Sequence, residues 1–569
     1  MSQTTAINPD VLVNEVPPPT PKGHPKGLGV LFATEMWERF NFYGMRALLT
    51  LFMVNALSFN EAESSVIYGG FLGLCYLTPM LGGFIADRYL GNRNCIILGG
   101  STMSLGQVLM FFSAILYATN ADSARTVMWI GLGVLIIGNG FFKPNISSMV
   151  GQLYPKGDSR LDSAFTIFYM GINLGAFLGI TICPILGDVK VNEVRDVTAF
   201  KWGFLAAAIA MALGTILFYF LKNKYVVSPE GKPVGAKPVL NASSNHLGES
   251  TKAQFSQKAV GISAVILIGL VCLFRLGIGV NWIYSFIYAS GLTLAGLILT
   301  DATLTKNERD RILVMYFVAF FVIFFWACFE QAASSLTFIA DYQTDRHLFG
   351  WDMPPSLVQN ANSLFIIIFA LPFSWLWLWL SKKRMEPISP VKQAIGLWLL
   401  SFGFLIIALQ VKGIGVSGKI GVIWLIVMYL FHTLGELCLS PIGLSLVAKL
   451  APQRFSSLLM GVWFLANAAG YALAGTLGAV LPPTGDKYKK AADAGIDLQA
   501  VLDKTGNVTE AAIAKLKELK IPTSYPTFAG FTIHNLFEFF MVFVILPGSA
   551  GLLLFLFSGQ LKKWMHGVR

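Results

Sequence analysis

The chain has 569 residues, 55% of them hydrophobic and 13% charged, with a mean hydropathy of +0.63; a soluble domain carries roughly 25% charged residues, and a soluble fold is excluded on that ground. The formal charge of +11 gathers in short loops between apolar segments, which reads as membrane topology and contact with anionic lipid, not as a nucleic-acid surface. Cys75, Cys95, Cys183, Cys272, Cys328 and Cys438 lie in apolar segments with no CxxC spacing, so they read as small buried hydrophobes and imply neither disulfides nor a metal site.

Residues 1–27 are polar and Pro-rich and read as a disordered cytoplasmic tail, not a signal peptide. A spanning helix needs about 20 apolar residues. Such spans are expected at 28–57, 66–87, 94–118, 126–151, 162–187 and 201–222, an N-terminal bundle of six over 28–222. A cytoplasmic linker, 223–258, has Gly, Pro, Ser and Asn and no apolar period. An extra pair over 259–300 follows, with spans 259–276 and 279–300. Six more spans, 312–339, 356–381, 389–411, 419–449, 456–481 and 534–558, belong to a C-terminal bundle over 301–569. The fold class is therefore an all-α polytopic membrane protein with fourteen transmembrane helices. An extracytoplasmic insertion, 482–533, holds a short amphipathic helix near 509–520, with Ala512, Ile513, Leu516 and Leu519 at helical spacing. Basic residues such as Arg88, Arg93, Arg160, Lys306, Lys382 and Lys449 put their loops, and both termini, in the cytoplasm. The seven Lys of the insertion run against this rule, but long segments translocate regardless of charge.

The first span carries Glu35, Glu38, Arg39 and Arg46. Glu35, Arg39, Phe42 and Arg46 fall at i, i+4, i+7 and i+11, a charged stripe on one helical face. An ionisable group at bilayer depth costs at least about 2.5–3.5 kcal/mol, so it faces a partner or a cavity and marks function. A soluble helix with i,i+4 pairing is the other reading, and the membrane-like remainder argues against it. Taken with Lys143, Glu330 and Glu436, the spans bury four acids against three bases. One protonation neutralises the set, so proton binding and ion pairing compete for the same carboxylates. A static structural ion network is the alternative.

Six plus six spans about a long linker suggest two homologous halves with substrate bound between them at mid-membrane, the major facilitator fold. The loop Gly82-Gly83-Phe84-Ile85-Ala86-Asp87-Arg88-Tyr89-Leu90-Gly91-Asn92-Arg93 resembles that superfamily's G-x-x-x-D-R-x-G-R-R motif, with Asn92 replacing an Arg. Further motifs are E-x-x-E-R-F at Glu35–Phe40, Gly138-Asn139-Gly140-Phe141-Phe142-Lys143-Pro144-Asn145, the run Phe165 to Phe177 around Gly171-Ile172-Asn173, and Trp326-Ala327-Cys328-Phe329-Glu330-Gln331. The run Gly435-Glu436-Leu437-Cys438-Leu439-Ser440-Pro441 completes the set, with Trp463. In this order they resemble the proton-dependent oligopeptide transporter family (POT/PTR2), over roughly 28–480 and 534–558. The extra pair is similar to that of bacterial members.

The resemblance implies a proton-coupled symporter importing di- and tripeptides by alternating access, in a bacterial cytoplasmic (inner) membrane. It is expected to be no enzyme and to use no cofactor beyond the coupling protons. Glu35, Glu38 and Arg39 are similar to the proton-coupling motif. Arg39 and Lys143 would receive the peptide carboxylate, and Glu436 with Asn173 and Asn362 the amino group. Tyr43, Tyr76, Trp326 and Trp463 would line side-chain pockets. Arg46 with Glu330 would form an outer gate pair and Lys143 with Glu436 an inner one. Phe42 stands where members often have a first tyrosine, which puts one polar contact to the peptide in doubt. His432, four residues before Glu436, reads as a satisfied packing histidine.

Another substrate on the same fold, such as nitrate, an amino acid or a drug, is the nearest alternative; the intact E-x-x-E-R and Lys143 favour peptides. An enzyme would need a nucleophile–base set or metal ligands at depth, and neither HExxH nor GxxxxGK[ST] occurs. Charges of both signs and the lack of a repeated filter segment disfavour a channel.

Overall fold

The computed structural model describes residues 23–155, 158, 160–191, 194–237, 255–505 and 509–568. The tail expected at 1–27 lies mostly outside the described residues, as do 238–254 of the expected linker. The long helices are α1 (Lys26–Asn55), α2 (Glu61–Leu90), α3 (Asn92–Leu116), α4 (Ala121–Gln152), α5 (Leu161–Gly187), α6 (Phe200–Tyr225), α7 (Gln257–Ile278) and α8 (Trp282–Leu299). They continue with α9 (Lys306–Phe329), α10 (Asn360–Lys382), α11 (Ser389–Val411), α12 (Val422–Leu450), α13 (Ser456–Gly478) and α14 (Leu536–Trp564). Among the described residues, 13 helices are long and apolar enough to cross a membrane. The 30-residue α1 has the length as well; its buried charges set it apart.

Side-chain caps start several helices. Asn60 and Glu63 close a capping box on α2, at 2.7 and 3.0 Å, and Thr305 with Glu308 another on α9. Both satisfy donors that a helix start leaves free. One apolar core fills α1–α6, and a second fills α9–α14.

Close helix crossings depend on glycine. A Cβ on Gly82 of α2 would lie 1.9 Å from the Gly140 carbonyl of α4. Pro144 has no N–H to offer that carbonyl across the turn, so the carbonyl that α2 approaches lacks its usual helical partner. The glycines of two motifs, distant in sequence, meet at this crossing.

Two features differ from expectation. The span expected at 312–339 is broken: α9 stops at Phe329, a 3-10 turn covers Glu330–Ala333, and a short helix runs Ser335–Tyr342. The insertion is more than a loop with one helix. Helices Gly485–Asp493, Leu498–Leu502 and Glu510–Glu518 share a small core of Ala491, Leu498, Val501, Leu502, Leu516 and Ile521. Within it Leu516 is buried, whereas Leu519 follows the helix and is exposed. The extra pair touches both halves. Although α7 buries no residue, Tyr284 and Ile287 of α8 pack with Leu77 of α2 and Leu465, Ala468 and Ala472 of α13. That helix lies over the line where the two halves meet.

Candidate functional site

A cavity of about 380 Å³ opens between the halves. Helices of one half supply Tyr43 (α1), Tyr76 (α2), Lys143 (α4) and Asn173 (α5); those of the other supply Trp326 (α9), Asn362 (α10), Glu436 (α12) and Trp463 (α13). Eight of the nine residues expected to touch substrate thus line one space. Its opposed walls carry opposite charges. Lys143 Nζ sits 3.4 Å from the centroid of the Tyr76 ring, a cation over a π-face. Across the cavity, Glu436 Oε2 accepts from Asn362 Nδ2 at 3.1 Å, and the same amide donates to Thr433 Oγ1 at 3.0 Å.

Arg39 is the ninth, and it does not line the cavity. Its Nε lies 2.9 Å from Glu35 Oε1 and 2.5 Å from Glu38 Oε2, and all three side chains are at most 4% exposed. Two carboxylates on its own helix hold the guanidinium inside the N-terminal half. Phe42 is also absent from the cavity wall. It is buried, stacks on Phe71 and packs edge-on to Tyr43, so the missing hydroxyl lies off the cavity surface.

Lys143 and Glu436 form no ion pair with each other among the described residues; they stand as separate walls. The expected inner pairing is not made in this arrangement. The reason is the way the halves meet, closed at the end remote from both termini and apart at the other.

At the remote end Arg46 Nη1 and Nη2 reach Glu330 Oε1 and Oε2 at 3.3 and 3.2 Å, and the Tyr68 hydroxyl donates to Oε2 at 3.2 Å. The broken span matters here, because the 3-10 turn places Glu330 at the seam. Thr50 donates to the Ala333 carbonyl at 2.9 Å, and the Ser334 and Ser65 hydroxyls lie 2.9 Å apart. A second ionic cluster joins the hairpin after α5 to the other half. Lys190 Nζ and Arg195 Nη1 bind the two oxygens of Asp341 at 2.6 and 2.7 Å. Arg195 Nη2 also lies 2.8 Å from Asp188, whose other oxygen accepts from the Ser356 hydroxyl at 2.6 Å. The insertion adds a third link, Lys487 to Glu61 at 2.6 Å. Burial works against the Lys487 charge, but Glu61 and Asp486 outweigh it and raise its pKa above the usual lysine value.

At the end bearing the termini a larger cavity, about 770 Å³, separates α5 (Phe165, Tyr169) from α10–α12 (Leu371, Trp377, Lys392, Pro441, Lys449). Tyr169 and Pro441 belong to both cavities.

Several wall residues escaped the sequence reading: Tyr169, Gln359, Tyr429, Asn467 and Tyr471. Helical spacing would have found three of them. Tyr169 lies four residues before Asn173, and Asn467 and Tyr471 lie four and eight after Trp463. His432 is buried against Phe404, at 4.5 Å between ring centroids. It packs against aromatic rings, but it is not the satisfied histidine expected: neither ring nitrogen has a hydrogen-bond partner among the described residues.

The POT family model matches residues 93–482. The peptide transporter YePEPT of Yersinia enterocolitica subsp. palearctica is 34% identical over 469 residues, which cover 80% of this chain and 88% of that protein. A di-/tripeptide transporter of Lactococcus lactis subsp. cremoris is 32% identical over 471 residues, covering 79% and 88%. Among solved structures, a POT family transporter in complex with a thioalcohol-conjugated peptide matches with a TM-score of 0.70 at 28% identity, over 95% of this chain and 98% of that one. The peptide transporter POT in complex with sulfate matches with the same TM-score at 29% identity, over 99% and 100%.

Proposed function

The chain belongs to the POT family, and from that premise we propose that it is a symporter importing di- and tripeptides with protons by alternating access. The observation that carries the reading is the pair of oppositely charged walls. A zwitterionic peptide has one charged group for each, whatever its side chains. Lys143 takes the carboxylate, and Glu436, oriented by Asn362 and assisted by Asn173, takes the ammonium. Tyr43, Tyr76, Trp326 and Trp463 offer the broad apolar faces that varied side chains need.

The membrane is the bacterial cytoplasmic membrane, with both termini in the cytoplasm; the excess of Lys and Arg in the loops at that end supports this orientation. The arrangement described above is then inward-facing. The outer side is held by Arg46–Glu330, the Asp188–Lys190–Arg195–Asp341 cluster and the insertion, and the 770 Å³ cavity is the exit to the cytoplasm. Opening outward breaks the outer contacts and brings the inner parts of the halves together. In that state Lys143 and Glu436 form the inner gate pair.

Glu35, Glu38 and Arg39 couple the proton. With both carboxylates ionised, Arg39 is held within its own half. Protonation of one weakens that hold and frees the guanidinium to reinforce the carboxylate-binding wall beside Lys143. Proton and peptide then favour each other's binding, and by linkage the effect is reciprocal.

Uptake of labelled dipeptide into proteoliposomes, with and without an imposed inward proton gradient, tests this directly. Accumulation above equilibrium only with the gradient is expected. Gradient-driven uptake of nitrate or free amino acids in place of peptides would overturn the substrate assignment.

A further inference from the structure

Asn467 is the polar residue in an otherwise aromatic stripe of α13. Trp463, Asn467 and Tyr471 follow at one-turn spacing and all line the 380 Å³ cavity. Across from them stand Trp326 and Tyr76, whose rings lie 5.8 and 4.6 Å from that of Tyr471. Asn467 is only 7% exposed, and its Oδ1 is buried without a hydrogen-bond partner among the described residues. Asn362, on the opposite wall, is spent on Thr433 and Glu436; Asn467 has no such engagement. A buried amide left unbonded is costly; Oδ1 is closed off from the cavity, so the part of the amide that an occupant of the cavity meets is its unbonded NH2 edge, or the oxygen if the amide turns over.

We infer that Asn467 is a specificity-determining residue that selects peptides with a hydroxyl or primary amide side chain. The inference rests on the peptide-transport reading above. The peptide's termini have their own partners on the Lys143 and Glu436 walls, so the aromatic stripe faces a side chain. An amide offers two donors and an acceptor. Ser, Thr, Asn and Gln side chains both donate and accept, so they satisfy it whichever way it is turned. An aliphatic side chain of equal size would fill the same space and leave the amide unbonded, the situation in which polar sites discriminate most strongly.

The test is competition against labelled Ala-Ala in proteoliposomes by near-isosteric pairs: Asn against Leu and Thr against Val, each as Ala-X and as X-Ala. The parent should prefer the polar member roughly tenfold in at least one of the two positions. In Asn467→Leu and in Asn467→Ala that ratio should collapse towards one or invert. The ratio is read within each variant, so a general loss of affinity does not mimic the effect. Equal inhibition by both members in the parent, at both positions, would overturn the inference, as would a preference that survives in either variant. A parent that binds no dipeptide at all would instead overturn the transport reading.

Discussion

Glu38 is the most deeply buried charge on α1. It has no exposed surface, and one oxygen lies 2.5 Å from Arg39 while Glu35 takes the other side of the same Nε. Two acids against one base on a single turn leave a surplus negative charge that a proton can cancel. Glu38→Gln imitates the protonated side chain and cannot release a proton. It should still exchange labelled for unlabelled peptide across the membrane, while gradient-driven accumulation falls to the level seen without a gradient. Counterflow and uptake assays on the same vesicles separate the two activities. If Glu35→Gln and Glu38→Gln both keep gradient-driven accumulation, the coupling carboxylate lies elsewhere, Glu330 first.

Among the elements, the hairpin after α5 does what neither bundle does alone. Lys190 and Arg195 sit on its two strands and both bind Asp341, on the short helix beyond α9. That carboxylate is 1% exposed, so the pairing is poorly screened. Charge-assisted hydrogen bonds of this kind are worth about 1.5–3 kcal/mol each. Asp341→Asn should weaken the closed outer side by roughly that amount, a tenfold or greater shift in population toward outward-open. Spin labels placed across the outer seam report it as a new, longer distance in the variant. An unchanged distance distribution would show that Arg46–Glu330 suffices to hold the seam.

For the whole molecule, the extra pair sets a boundary on what transport requires. None of its residues lines either cavity between the halves, yet α8 packs over the crossing of α2 and α13. The Tyr284 hydroxyl donates to the Val66 carbonyl at 2.8 Å and stands against Gly69 and Gly475. Deleting 259–300 behind a linker of matching span should preserve peptide affinity within about fivefold, a change of no more than about one kcal/mol. It should also lower the melting temperature in detergent, because α2 and α13 lose a packed apolar face. A folded deletion without peptide binding would place the pair inside the transport machinery.

The membrane class, the number of spans and the residues that carry charge at depth were legible in the sequence, because each follows from local composition and from a 3.6-residue period. That Lys143, Glu436, Asn173, Asn362, Trp326 and Trp463 share one cavity followed from the family resemblance, since no periodicity joins residues on six different helices. Tertiary structure alone decided that Arg39 is turned away from the cavity by its own two carboxylates, that Phe42 faces Phe71, and that the span through Glu330 breaks to reach Arg46. It also decided that the halves meet at the Arg46–Glu330 end and stand apart at the other. Helical period puts a charge on a face of its own helix and says nothing of the helix opposite, so only a particular packing of the two halves determines which charges meet.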